Sequence, residues 1–468
     1  MNEKIKLFFL FMLGFLFLIP TVVFAAKNSS VSISYSGERV ISSDIQENNQ
    51  TYSSVSEGTS ALLVSGGTSI LQNVNVSKSG DASGDNADFY GINAAILTYN
   101  GANLTIKGGS ISTNGSHANG LFAYGDGIIN VEDVSIQTSS NNSGGIMVAG
   151  GGSIYASDLI IETQGSSSAP IRSDRGGGTI HVDGGTYTSN GVGSPAIYST
   201  ADITVCRAKL VSNVSSGVVI EGDNSITLEE VELEDSNTKS NTKGEEANYK
   251  NIFIYQSTSG DANEGTGVFV SKNSTITTHN GSTIFVTNTT ADITLENNTI
   301  LNDSEDGLFL KASSARWGKE GANGGDVSLK MIQQKAEGDI VLDEISTLSL
   351  SMSDGSVLIG AINHLNSAKN VHVSLSSDSV LSLTGDTYLS SLENESSDNQ
   401  NIYLNGYKLF VDGSEITANN GTFDDSISIT TNHSSMETNT WVLPIVVILL
   451  VVIVFVISMI FVIKRKKN

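Results

Sequence analysis

The sequence predicts an all-β protein: a right-handed single-stranded parallel β-helix with three strands per coil and about 12 coils, followed by a C-terminal transmembrane helix. Three observations predict it. Short apolar segments recur at steps of 23 to 26 residues. The chain has 47 glycines, four prolines and one cysteine, which is typical of strands and turns without a disulfide framework. A long apolar segment lies near the C-terminus.

The repeat is clearest in an alternating apolar motif such as Leu104-Thr105-Ile106. The first apolar residue of this motif, here called the anchor, falls at positions 104, 129, 154, 180, 203 and 226. No helical solenoid combines this period with this alternation and glycine content. The motif therefore predicts one strand in each turn of a β-solenoid.

Each unit of the repeat contains two further strands. A mostly apolar tripeptide, such as 121–123, is centred about seven residues before the anchor. After the anchor strand and a two-residue corner comes a third strand, represented by Val134 and Ile136. Stacking equivalent residues of successive coils would bury columns of Ile and Val that no single coil could bury alone.

Two outward-facing columns are candidate binding surfaces. The anchor strands carry a polar column that reads Thr105, Asn130, Tyr155, His181, Thr204, Thr227 and Thr294. The β-propensity of a solvated sheet explains this column without any ligand. The first strands are apolar on both faces, so we expect their outer face to be covered by the long insertion at 234–267 or by a partner.

The two ends of the chain predict export and membrane anchoring. Residues 1–25 have Lys4 and Lys6 before an apolar run and a small-residue cleavage pattern, which indicates a signal peptide. Residues 441–463 form an apolar segment long enough to span a bilayer, and the basic residues 464–468 follow it. The positive-inside rule then predicts a single-pass type I protein of the cell membrane with an extracellular ectodomain.

Charge excludes one class of partner. Without the two terminal segments the chain keeps 19 Lys and Arg against 48 Asp and Glu, a net charge of about −29. Such acidity argues against nucleic acid and is typical of a soluble surface domain. Between the ends we predict an N-terminal cap at 26–60, a β-helix at 61–415 and a flexible spacer at 416–440.

With these repeats, the chain resembles the right-handed parallel β-helix proteins of microbial surfaces, a superfamily of pectate-lyase-like enzymes and adhesin-like domains. The resemblance covers nearly all of the ectodomain, and the stretch from Leu381 to Val411 resembles the terminal coils of secreted members from Gram-positive bacteria. It implies either a non-catalytic, adhesin-like protein or a carbohydrate-active lyase or hydrolase.

Insertions at the corners of coils are the first places to look for a site, and they are predicted at 79–91, 234–267 and 311–326. The last of these contains Arg316 and Trp317, which predicts ligand binding with a sugar face stacked on the indole. Alternatively, Trp317 holds its own loop against the coil.

Two other groups of residues are weaker candidates. Asp81, Asp85 and Asp88 could supply oxygen ligands to calcium, but their spacing matches no defined loop and favours a solvated acidic loop. Arg172, Asp174 and Arg175 cluster on one coil as a lyase would require. The equivalent stretches of the neighbouring coils carry no carboxylate or cation.

The sequence therefore favours a membrane-anchored, adhesin-like binding protein with a glycan or protein ligand. The alternative is a carbohydrate-active β-helix enzyme. No catalytic residue, metal ligand or cofactor is predicted, because the chain has no hydrolase, zinc, phosphate-binding or dinucleotide motif.

Overall fold

A computed structural model describes residues 33–240 and 248–424. The chain divides into two compact units, unit 1 up to Ile180 and unit 2 from His181 onwards. Both are all-β parallel solenoids with almost no helix, so the predicted fold class is confirmed at that level. The predicted number of coils is wrong, because about 15 turns are present. The predicted β-helix begins at residue 61 and therefore leaves out the strands between residues 37 and 54.

The strands of unit 1 begin at Gly37, inside the segment predicted as a cap. They are β1 (Gly37–Ile41), β2 (Ile45–Asn48), β3 (Thr51–Ser54), β4 (Ser60–Val64), β5 (Thr68–Lys78), β6 (Ile96–Thr98), β7 (Asn103–Thr113), β8 (Leu121–Tyr124), β9 (Ile128–Thr138), β10 (Ile146–Ala149), β11 (Gly152–Ser157), β12 (Ile160–Thr163) and β13 (Ile171–Ser173). The first strands of the coils form one parallel sheet in the order β1-β4-β6-β8-β10-β13. A short helix, α1 (Asp85–Tyr90), lies between β5 and β6.

Strand β14 (Gly178–Asp183) contains the boundary between the units. The strands of unit 2 are β15 (Thr186–Ser189), β16 (Ile197–Ser199), β17 (Asp202–Cys206), β18 (Lys209–Ser212), β19 (Val218–Glu221), β20 (Ser225–Glu229), β21 (Glu232–Asp235), β22 (Lys250–Tyr255), β23 (Thr266–Lys272), β24 (Thr275–Thr278), β25 (Ser282–Thr287), β26 (Thr289–Glu296), β27 (Thr299–Asn302), β28 (Leu308–Ala312), β29 (Gly325–Ile332), β30 (Lys335–Glu337), β31 (Asp339–Leu342), β32 (Thr347–Ser353), β33 (Val357–Ile359), β34 (Asn370–Leu375), β35 (Val380–Ser382), β36 (Thr387–Leu389), β37 (Ser391–Asn394), β38 (Ile402–Tyr403), β39 (Leu409–Val411) and β40 (Ser414–Glu415), with a 3-10 helix at Ser397–Asn399. The first strands again form one parallel sheet, β16-β19-β22-β25-β28-β31.

The predicted anchors form the buried columns of both units. In unit 1 Leu104 pairs in register with Ile129, and Ile129 pairs with Ile154. In unit 2 Ile203 pairs with Ile226. All of these side chains are at most 1% exposed. The alternation in the sequence therefore identifies the core correctly.

The corner between the anchor strand and the third strand depends on one left-handed residue four positions after the anchor. The φ angles there are +54° at Asp133, +52° at Asp158, +76° at Gly184, +51° at Arg207 and +56° at Glu230. At Asp133, Asp158, Arg207 and Glu230 a single residue in this conformation turns the chain and moves the inward-facing set by one position, whereas at Gly184 the next residue, Gly185, is left-handed as well. Aspartate, asparagine and glycine tolerate it best, whereas Arg207 and Glu230 adopt it at a cost.

This corner leads to a testable prediction at the exposed residue Glu230. The substitution Glu230→Val should lower the free energy of unfolding by about 1–2 kcal/mol, because a β-branched side chain clashes with the backbone in the left-handed region. Glu230→Gly is the control and should cost less, since glycine adopts this conformation freely. Urea unfolding curves measure both. Equal losses in the two variants would contradict a left-handed corner.

The predictions for the two ends of the chain lie outside the described residues. This applies to the signal peptide at 1–25, the transmembrane helix at 441–463 and the basic tail at 464–468. Within residues 33–240 and 248–424, no helix has the length and apolar character needed to cross a bilayer.

Candidate ligand-binding site

The insertion predicted at 234–267 has a regular strand in its middle. Strand β22 lies in the first sheet of unit 2, with Ile252 beside Ile284 and Phe253 beside Phe285 of β25. The inserted segments are therefore 236–249, which leads into β22, and 256–265, which leaves it. The first segment therefore ends at β22, and the second begins there.

Four aromatic rings, here called the aromatic face, lie on this side of unit 2. The Phe253 ring is stacked on Tyr255 with centroids 4.4 Å apart and on Phe285 at 5.6 Å. The Trp317 ring lies 5.8 Å from Tyr255. Phe285 and Tyr255 are buried, whereas Phe253 and Trp317 are half-buried. The accessible part of the aromatic face is thus formed by Phe253 and Trp317.

Three cations lie against these rings. The Nζ atom of Lys250 is 4.3 Å from the centroid of Phe253, and that of Lys311 is 5.5 Å from Phe285. The Arg316 guanidinium is 4.3 Å from the centroid of Trp317. These distances are within the range of cation–π attraction. They concentrate positive charge on one face of a chain whose net charge is −24.

A small recess opens beside this cluster. It is lined by Asn248, Tyr249, Asn280, Gly281, Ser282, Asp306, Leu308 and Lys311, and it is called the Lys311 recess below. The Lys311 ammonium donates a hydrogen bond of 2.7 Å to Asn248 Oδ1. The lining of this cavity of about 80 Å³ thus offers amide, hydroxyl, phenol, ammonium and carboxylate groups next to aromatic surface, and these groups can bind the polar groups of an organic ligand.

The predicted binding residues Arg316 and Trp317 lie at the edge of the aromatic face. Asn323 Nδ2 donates 2.8 Å hydrogen bonds to the carbonyl oxygens of Ala315 and Trp317, which fixes the loop. Trp317 packs on Tyr255, as the structural alternative predicted, and Arg316 is exposed over the indole. One face of the indole is therefore occupied by the guanidinium.

The recess itself was not predicted from sequence. Lys311 was within a predicted insertion, but Tyr249 and Asn280 belong to different coils and no spacing connects them. A signal was available at Lys311, which follows Phe253 and Phe285 in register on the outer face of the first sheet. A lysine at a position where the two preceding coils have phenylalanine indicates that the outer surface changes there from apolar to charged.

A buried carboxylate, that of Glu221, is hydrogen-bonded to the aromatic face. Glu221 is 1% exposed. Its Oε2 atom accepts hydrogen bonds from the hydroxyl groups of Tyr198 and Tyr255, the latter at 2.8 Å. Its Oε1 atom accepts hydrogen bonds from Ser257 and, at 3.4 Å, from Ser259. Burial, with the Glu221 charge beside it, raises the pKa of the Tyr255 phenol well above its usual value. Glu221 thereby connects the 256–265 segment to the aromatic face.

The charged cluster of unit 1 has a structural arrangement. Arg172 donates a 2.9 Å hydrogen bond to Asp174, and both side chains are largely buried. The Arg175 guanidinium instead lies 3.8 Å from the centroid of Phe89 and 3.6 Å from Asp85. The three residues thus make contacts within the fold, and no pair of carboxylates converges on them in the described contacts.

The outer face of the first sheet in unit 1 is covered. Leu63, Leu97, Phe122 and Met147 point outward and are at most 3% exposed. In unit 1 the 79–91 insertion lies over this face, a cover that the sequence pattern does not predict.

Helix α1 is held in place by specific contacts. Gly91, with φ +70°, lies directly against the Phe122 ring, and Tyr90 packs on Tyr124 with centroids 5.4 Å apart. Asp88 Oδ1 is 2.6 Å from His117 Nδ1. The 79–91 segment is therefore not a purely solvated acidic loop, because its contacts with Phe122, Tyr124 and His117 hold it on the sheet. Among the described residues no group of three or more His, Cys, Asp or Glu side chains could hold a metal ion.

The fold and these surfaces define the class of the molecule, a parallel β-solenoid. No protein-family model, curated protein or solved structure matches the chain. The likeness to adhesin-like and pectate-lyase-like proteins remains a prediction.

Proposed function

We propose that this chain is a membrane-anchored, right-handed β-solenoid of the cell surface that binds a carboxylate-bearing glycan, in the manner of an adhesin and without catalysis. The ligand occupies the Lys311 recess and extends over Phe253 and Trp317. The type I topology rests on the signal and anchor patterns at 1–25 and 441–463.

The observation that carries this proposal is the position of Lys311. Its ammonium lies between the Phe285 ring and the amides and hydroxyls of the recess. Sugar rings present apolar faces that pack on aromatic side chains, and their hydroxyls bond to amides and carboxylates. A carboxylate on the sugar would gain a charge-assisted hydrogen bond from Lys311. The three cations of this face outnumber the single carboxylate of the recess lining, Asp306, so the site favours an acidic sugar residue over a neutral one despite the negative net charge of the chain.

Binding by the full-length chain in detergent can be measured by titration with hyaluronate oligosaccharides and with their methyl esters. We expect the acid form to bind more tightly than the ester. Lys311→Met should lower the affinity for the acid form about tenfold or more, because a charge-assisted hydrogen bond is worth about 1.5–3 kcal/mol. The ester should bind both proteins alike.

Lys330→Met is the matched control, since Lys330 is an exposed lysine of unit 2 outside the recess, and its affinity should equal that of the unmodified protein. Equal affinity for acid and ester would contradict the role of Lys311. Shortened oligosaccharides in the reaction mixture would contradict the non-catalytic part of the proposal. Binding only to protein ligands would exclude the glycan.

A further inference from the structure

A column of inward-facing polar residues runs along the ends of the third strands in unit 2. Adjacent members are paired in register, and all except the half-buried last one are buried: Ser189, Ser212, Asp235, Thr278 and Asn302. Most of them close the next corner by donating a hydrogen bond to a carbonyl oxygen. Ser189 donates to Ser194 O at 2.5 Å, and Ser212 donates to Ser215 O at 2.9 Å. Asn302 donates to Leu308 O at 3.0 Å.

Asp235 is the exception in this column. It is fully buried between Ser212 and Thr278, and no side chain among the described residues donates a hydrogen bond to its carboxylate, so that the backbone N–H of His279 is the one donor that acts on its charge there. An ionised carboxylate can only accept hydrogen bonds, so it cannot replace the donors of the neighbouring coils. A protonated carboxyl group can donate. Asp235 can therefore donate a hydrogen bond only in its protonated state.

An unpaired acceptor lies close by. The Oδ1 atom of Asn251, at the start of β22, is buried and has no donor. Its Nδ2 atom donates to Thr278 Oγ1 at 3.2 Å, and Thr278 is the register partner of Asp235. Both unpaired groups thus border the same threonine. A proton on Asp235 would add a donor beside Thr278, which Asn251 also contacts.

The residues that follow Asp235 lead directly to the Lys311 recess. Asn237 Nδ2 donates to Lys250 O at 2.6 Å, and its carbonyl accepts from Asn280 Nδ2 at 3.0 Å. The Tyr249 hydroxyl donates to Thr238 O at 3.1 Å. Tyr249 and Asn280 both line the recess. The residues at the base of the 236–249 insertion therefore follow Asp235 directly and also contact residues of the proposed binding site.

We infer that protonation of Asp235 controls the order of the Lys311 recess. This inference rests on the proposed function for its consequence in binding, but the conformational effect itself requires no ligand. With the proton present, Asp235 stabilises the base of the insertion as the donors of other coils stabilise their corners. Without it, an unpaired buried charge loosens residues 236–240 and 248–251.

The charged groups around Asp235 favour proton uptake. Glu234 lies on the same strand, His279 follows β24, and Asp303 follows β27. On the preceding coil Lys209 is paired with Glu232. Burial raises the pKa of Asp235 well above its usual value. The backbone N–H of His279 opposes this shift in part, and the negative charges of Asp303 and Glu234 add to it.

The sign of the pH effect follows from this direction. A carboxyl group whose folded pKa is raised contributes its full stability below the unfolded value of about 3.9 and loses it as pH rises towards the folded pKa. The pKa of His279 is also raised, by hydrogen bonds to Glu234 and Asp303, so the salt bridges of His279 weaken as pH rises too. Comparison of an Asp235 variant with the unmodified protein at each pH separates the contribution of Asp235 from that of His279.

Hydrogen–deuterium exchange of the full-length chain at pH 4.0 and pH 7.5 tests the inference. Asp235→Asn carries a neutral donor, as Asn302 does in its coil. At pH 7.5 the amides of 236–240 and 248–251 should exchange at least about threefold faster in the unmodified protein than in the variant, and the difference should shrink at pH 4.0. Asp292→Asn changes an exposed carboxylate of unit 2 and should have no such effect.

Asp235→Ser, with the side chain found at 189 and 212, provides a second test if the asparagine variant folds poorly. A pH-dependent difference in either folded variant supports the inference, and its absence in both overturns it. Affinity for hyaluronate oligosaccharides at the two pH values gives a separate readout. An exchange difference without glycan binding would support the effect of Asp235 and contradict the proposed function. Binding without an exchange difference would do the reverse.

Discussion

Replacing Phe122 with alanine should lower the free energy of unfolding of unit 1 by about 3–5 kcal/mol, the usual cost of removing a fully buried aromatic side chain. The ring points away from the interior of the coil, where a side chain would ordinarily meet solvent. It is nevertheless 0% exposed, because the 79–91 insertion and the neighbouring outward residues enclose it. Loss of the ring would leave a cavity beneath Gly91.

Ile160 provides the matched control. It is also an outward-facing apolar residue of unit 1, but it is 63% exposed. Ile160→Ala should change stability by less than about 0.5 kcal/mol. Urea unfolding followed by circular dichroism measures both variants. If Phe122→Ala costs no more than Ile160→Ala, helix α1 does not cover the sheet in solution.

The second large effect is expected at Glu221. Glu221→Ala would remove the carboxylate that accepts hydrogen bonds from four hydroxyl groups, those of Tyr198, Tyr255, Ser257 and Ser259. Breaking a buried charged network of this kind costs about 3–5 kcal/mol. Glu221→Gln keeps the shape and one acceptor oxygen, so it should cost less than the alanine variant.

Tryptophan fluorescence gives a local readout of this change. The chain has two tryptophans, Trp317 and Trp441, and only Trp317 lies within the described residues. Since Tyr255 is held by Glu221 and packs on Trp317, Glu221→Ala should shift the emission of Trp317 as well as lower stability. Glu305→Ala, at an exposed position of unit 2, should do neither. A full loss of stability with unchanged emission would indicate that Glu221 does not support the aromatic face.

These expectations connect stability with the proposed function. The aromatic face depends on Glu221 at its base, and the Lys311 recess depends on the segment that follows Asp235. Both supports are buried acidic groups that lack a cationic partner in the described contacts. The proposed site is thus built on groups whose loss should alter the loops while the apolar columns remain in place.

The sequence alone determined the solenoid and its core. Anchors such as Leu104, Ile129 and Ile203 are buried and paired in register as their spacing predicted. This succeeds because each coil pairs with the next through the same positions, so that a local alternation repeated at one period specifies both neighbours and burial. Arg316 and Trp317 lie in the loop between β28 and β29, and their role in binding stays a prediction.

Only the tertiary structure decided what the insertions do. No periodicity indicates that helix α1 packs over Phe122, or that Tyr249, Asn280 and Lys311 meet in one recess. Asp235 fits the inward pattern of its strand, and only its surroundings reveal that no side chain of the described residues donates a hydrogen bond to its carboxylate. The physical reason is that the register between coils follows from the repeat, whereas the docking of an insertion depends on shape and charge complementarity between segments far apart in sequence.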